Sequence, residues 1–164
     1  MSSLRRKNSF AAKNHEVKGW MRKTVQQIKV FQHTSFPLRF FVCDKVRKRL
    51  CIYDQPEGQL KEEVEIGRLV KVDVVDAQYA LEEQKQNGNK DGPTIVVPTD
   101  YPFPFTLYLT NRTMLLWAND EEERKHWVDC LRTMISEFEQ QQLTAGNQIN
   151  LSHIKSEQDM SYAR

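Results

Sequence analysis

The chain has 164 residues, 24 Lys and Arg against 22 Asp and Glu, and 39% hydrophobic residues, which is enough to fill the core of one domain. Its mean hydropathy is −0.67, and no apolar run approaches the ~18 residues of a membrane-spanning helix, so the sequence excludes that class. Three cysteines (Cys43, Cys51, Cys130) and four scattered histidines form neither a disulfide framework nor metal-ligand spacing, so no metal and no cofactor is expected.

Charge is unevenly spread. Residues 1–49 carry 13 basic and 2 acidic side chains, a net +11, while residues 50–164 carry 11 basic and 20 acidic ones, a net −9. A basic first third suits an anionic partner, although five of its cations lie at or before the first strand. Met1–Phe10 lacks the apolar segment of a secretory signal, and Ser2 does not suit myristoylation. The expectation is a cytoplasmic chain. Residues 1–15 read as a basic tail, in which Arg6 stands three residues before Ser9, a possible phosphosite of basic-directed kinases.

From Val17 the pattern alternates. "VKGWMRKTV" (17–25), "LRFFVCD" (38–44) and "RLCIYD" (49–54) read as strands, with "KVRK" (45–48) as the turn of a hairpin. Cys43 and Cys51 read as small buried thiols that could face each other across that hairpin. In "QPEGQ" (55–59) Pro56 presets φ, and Gly58 is expected to take the positive φ of a turn. "EEVEI" (62–66) and "LVKVDVVD" (69–76) alternate again. Residues 77–104 read as an inserted loop, with "TIVV" (94–97) as a short extra strand and "TDYPFPF" (99–105) as an extended edge. "FTLYLT" (105–110) and "TMLLWA" (113–118) form a second hairpin.

Asp120 then caps a helix, with Glu123 at the capping-box spacing. Trp127, Leu131, Met134 and Phe138 recur on one face of it and make an apolar stripe. The helix is expected to end near Gln140, leaving residues 141–164 as a polar tail, with disorder as the default and a short docking helix as the alternative. Short antiparallel strands with one apolar face need a second layer, and a single amphipathic helix suits the plug of a barrel end.

Four stretches, taken in order, resemble the pleckstrin homology (PH) domain family. "KGWMRK" (18–23) resembles its first strand, "LRFFV" (38–42) its second, and "RLCIYD" (49–54) its third. "LLWANDEEERKHWVDCL" (115–131) resembles its last strand, short turn and Trp helix. The resemblance covers about Val17 to Phe138. It implies a mainly β fold, a seven-stranded two-sheet barrel capped by the C-terminal helix, in a domain spanning 16–140.

Strand parity places Lys23 and Arg39 on the face of Met21, Phe41 and Cys43, at strand ends beside the first loop. Two cations there suit an anionic headgroup, and the resemblance implies phosphoinositide as that ligand. Arg22, Lys18 and Lys29 add general attraction to an anionic membrane. Binding members of the family carry a further cation two positions before the second-strand Arg, where this chain has Pro37, and a third-strand Tyr where it has Ile52. "IKVF" (28–31) and Phe36 offer apolar loop surface, with packing on the barrel as the simpler reading.

There is no Gly-rich phosphate loop and no nucleophile–base–acid set, so an enzyme is not expected. No aromatic stacking platform is interleaved with charge, so nucleic acid is not expected. The favoured reading is a non-catalytic interaction module. It would be an adaptor or scaffold subunit with protein partners in a larger assembly, and with phosphoinositide membrane as a further partner. The alternative is a specific phosphoinositide-binding recruitment protein. Cytoskeletal, ciliary and membrane-associated settings all suit the favoured reading.

Overall fold

The computed structural model describes residues 16–27, 33–78 and 98–161. Among the described residues, nine strands and a 3-10 turn (Ile66–Arg68) precede a long C-terminal helix: β1 (Glu16–Lys23), β2 (Val25–Gln27), β3 (His33–Ser35), β4 (Leu38–Asp44), β5 (Arg49–Tyr53), β6 (Leu60–Glu65), β7 (Leu69–Val74), β8 (Phe103–Leu109), β9 (Thr113–Ala118) and α1 (Glu121–Ser161). Seven of the strands form a sheet in the order β6-β5-β4-β1-β9-β8-β7, and β2 pairs with β3 as a separate ribbon. Every strand pair is antiparallel. The expected two sheets are therefore one continuous sheet. β1 joins its halves, with Glu16–Arg22 paired to β4 and Arg22–Lys23 paired to β9. The barrel is open along the seam between β6 and β7, which do not pair.

The alternation read from sequence sets the inner face. Met21, Phe41, Cys43, Leu50, Ile52, Val64, Phe105 and Leu116 are almost fully buried, since successive residues of a strand point to opposite faces. Trp127, Leu131 and Met134 of α1 join that core, and Phe138 packs against it. Trp127 meets the Phe41 ring edge-on at 6.3 Å. A second, smaller cluster covers the outer face, where Trp117 and Tyr101 are buried beside Trp20, Phe36 and Leu38.

Three expectations are corrected. In the turn after β5, the positive φ falls on Glu57 (58°) rather than Gly58. Gly58 is needed for space, because a Cβ there would run into Asp54 Oδ1, the oxygen that accepts from Gln59 N at 2.8 Å. Cys43 and Cys51 do not face each other: Cys43 pairs across the ladder with Leu50, and Cys51 with Val42. Finally, α1 does not end near Gln140 but continues to Ser161. Residues 140–161 contain no Pro to interrupt the backbone ladder, and Gly146 does not take the positive φ of a helix C-cap.

"TIVV" (94–97), the middle of the insert and residues 1–15 lie outside the described residues.

Candidate functional site

Lys23 ends β1 and Arg39 lies near the start of β4, where Met21 pairs with Arg39 and Lys23 N donates to Pro37 O at 3.1 Å. Both side chains follow the inward parity of Met21 and Phe41, so they reach the mouth of the barrel beside the first loop. Arg112, from the turn between β8 and β9, comes to the same place. The positive fields of Arg112 and Arg39 both act on Lys23.

The structure adds an anion that the sequence reading missed. Glu62, on β6, points inward two residues before buried Val64. Its carboxylate forms ion pairs with both Lys23 and Arg112. β6 and β1 are separated by β5 and β4 in the sheet, so the Lys23–Glu62 pair crosses the inner face of the barrel. Burial, then Arg112 and Arg39, push the Lys23 ammonium below its ordinary pKa. A cation that is both desolvated and crowded by like charge needs a counter-ion, and Glu62 supplies one. Arg39 donates to the Leu38 carbonyl at 3.0 Å and has no carboxylate within ion-pair distance among the described residues. Among the described residues the mouth thus holds three cations, Lys23, Arg39 and Arg112, against the Glu62 carboxylate. The signal for Glu62 was present in the strand's period-2 pattern, as an acid on the apolar parity. Nothing local to the sequence places Arg112 beside it.

The other candidates lie elsewhere. Arg22 faces the opposite side of β1 and holds Asp100 with two parallel bonds of 2.9 and 2.7 Å. It also donates to Phe36 O at 2.8 Å and stacks over Tyr101. Its task is to fasten the return of the insert to the first loop, and the Asp100 contact raises its pKa and lowers that of Asp100. Lys18 is an exposed partner of Glu16 at 2.7 Å. In the turn before β5, Lys48 stacks over Phe138 of α1 and donates to Gln141. Phe36 packs edge-on against Trp117. Lys29 and Ser9 lie outside the described residues.

The PH domain family model matches residues 15–136, about three-quarters of the chain and all of β1 to β9. The chain belongs to the PH domain family. No curated protein sequence matches it. Among solved structures, this PH domain is similar to that of human TBC1 domain family member 2 protein, with a TM-score of 0.54 and 13% identity over 82% of this chain and 91% of that one. The N-terminal PH domain of human ARAP2 gives a TM-score of 0.49 and 18% identity over 79% and 87% of the two chains. PH domains are modules for protein or phosphoinositide interaction and are generally non-catalytic. No helix among the described residues is long and apolar enough to cross a membrane. Ile52 is 1% exposed in the core of this PH domain, so no hydroxyl is offered from that position.

Proposed function

We propose that this PH domain is a non-catalytic docking module, an adaptor or scaffold subunit that engages protein partners in a larger assembly, with no cofactor. Its barrel mouth adds a weak attraction to phosphoinositide membrane. The observation that carries this reading is the Glu62 carboxylate seated on Lys23 and Arg112. A phosphorylated headgroup entering the mouth must displace a carboxylate that is tethered in place, and must tolerate its charge. Arg39 and the residual excess of cations still favour an anionic surface, which salt screens over about 10 Å. The setting this implies is the cytoplasm, at a membrane surface or in a cytoskeletal or ciliary assembly.

Vesicle co-sedimentation tests the reading. Wild type is expected to bind anionic vesicles weakly, with no preference for phosphoinositide over phosphatidylserine at matched charge. The Lys23→Ala/Arg39→Ala variant should lower that binding only modestly. Tight sedimentation selective for phosphoinositide, and abolished in the double variant, would establish the recruitment reading instead. For the docking role, proteins captured from a lysate by the full chain are compared with those captured by residues 1–140. Loss of specific proteins on truncation supports docking along the helix, and identical captures count against it.

A further inference from the structure

The turn between β4 and β5, "DKVRKR" (44–49), carries four cations and one carboxylate. β4 runs away from the mouth, from Arg39 to Asp44, so this turn lies at the other end of the barrel. It sits beside α1, where Lys48 stacks over Phe138 and donates to Gln141. Hydrogen bonds fix its shape. Val46 N and Arg47 N both donate to Asp44 Oδ1, at 3.0 and 2.9 Å, and Ile66 N donates to Lys48 O at 2.9 Å. Lys48 takes a positive φ of 55° to close the turn. Val46 stands at the tip, 69% exposed, between Lys45 and Arg47, which are exposed as well. Turns favour Gly, Pro, Asn, Asp and Ser, and Val46 belongs to neither core cluster. A lone exposed valine is ordinary; one held between cations at the tip of a fixed turn forms an amphipathic contact surface. Arg49 is neutralised by Glu63 at 2.6 Å, but Arg47 meets Asp44 only at 3.8 Å with its side chain 80% exposed. Lys45 forms no ion pair among the described residues. Residues 1–15 add Arg5, Arg6, Lys7 and Lys13 and no acid, and they are joined to the sheet at Glu16, the ladder partner of Asp44.

We infer that the β4–β5 turn is a contact surface for an anionic bilayer, with Val46 entering the headgroup region and Lys45 and Arg47 meeting lipid anions on either side of it. A tip of three exposed residues offers far less than the roughly 800 Å² per partner of a stable protein interface. A bilayer surface needs no matching shape, and each cation brought near it strengthens binding about five-fold. The turn is ordered in advance by Asp44, so little conformational freedom is lost on contact. The attraction is non-directional, so it does not distinguish one anionic headgroup from another, and salt screens it. A flat bilayer cannot touch both ends of the barrel at once. Docking through the turn is therefore a different orientation from docking through the mouth, and it survives the loss of Lys23 and Arg39.

The test uses the full chain at low salt with mixed phosphatidylcholine and phosphatidylserine vesicles. Lys45→Gln/Arg47→Gln, changed at exposed positions, should weaken binding about twenty-five-fold, five-fold for each cation lost. Lys23→Ala/Arg39→Ala should weaken it much less. Val46→Trp places a fluorescent reporter at the tip. Its emission should be quenched by brominated lipid, whereas wild type, with Trp117 and Trp127 buried, should be quenched little. Unchanged binding by Lys45→Gln/Arg47→Gln overturns the inference, as does a loss confined to the mouth variant or vesicle binding by Val46→Trp without added quenching. Binding of wild type to polyglutamate but not to vesicles assigns the turn to an acidic protein and overturns it too. Absence of any vesicle binding by wild type does the same, while the capture of protein partners remains a separate test of the docking role.

Discussion

At the scale of single residues, Glu123 stands apart. It is 2% exposed, and its carboxyl oxygens have no hydrogen-bond partner of good geometry among the described residues. Burial first, and then Asp120, raise its pKa from 4.5 to about 7, against a weaker opposing effect of the Asn119 backbone. The folded chain therefore holds this proton more tightly than the unfolded chain does. The stabilisation it carries is complete below about pH 4.5 and is lost as pH rises through about 7. Across that window it amounts to roughly 3 kcal/mol. Denaturant unfolding from pH 5 to pH 8 should show this fall, and Glu123→Gln should flatten it; an unchanged slope in the variant refutes the assignment. Gly58 gives a second prediction: Gly58→Ala should cost roughly 1–3 kcal/mol in the same assay, because the added methyl collides with Asp54 and breaks its bond to Gln59. The sequence showed that a glycine was needed in this turn but gave the wrong reason. Which residue takes the positive φ depends on how Asp54 folds back on the backbone, and that is not a property of the turn residues alone.

At the scale of elements, α1 has two parts. Its first part is a plug: Glu123 N donates to the capping Asp120 Oδ1 at 2.7 Å, and Trp127 and Leu131 are fully buried. Arg132 donates to the Val72 carbonyl at 3.0 and 2.9 Å and so covers part of the open edge of β7. Trp127→Ala should cost about 3–5 kcal/mol, read as a shift in the denaturation midpoint. Beyond Phe138 the helix is exposed through Gln148, with Leu143 at 69%. A chain ending at Gln140 should lose helical circular dichroism yet stay within about 1 kcal/mol of full-chain stability, the worth of the one Lys48–Gln141 bond it forfeits. A larger loss would mean that the outer part packs. The stripe Trp127, Leu131, Met134, Phe138 made the plug legible, since burial imposes a 3.6-residue period. The extension was not legible because an exposed helix needs no stripe. It needs only the absence of breakers, which the eye reads as featureless polarity.

At the scale of the whole molecule, the seven-stranded sheet and its capping helix were readable from alternation, turns and the order of four motifs. The mouth was readable only in half. Lys23 and Arg39 follow from parity on adjacent paired strands. Glu62 and Arg112 reach them from β6 and from the β8–β9 turn, and such long-range closure is set by how the sheet curls. Those two missed residues decide the functional reading, because they turn a bare cationic pocket into one that already holds an anion. Calorimetric titration with a soluble inositol tetrakisphosphate headgroup tests this most directly, on wild type and on Glu62→Gln, which keeps the shape and removes the charge. The account predicts weak binding by wild type and about ten-fold tighter binding by Glu62→Gln, equivalent to about 1.4 kcal/mol, with the gain abolished when Lys23→Ala is added. Sub-micromolar binding by wild type, or no change on removing the Glu62 charge, would contradict it.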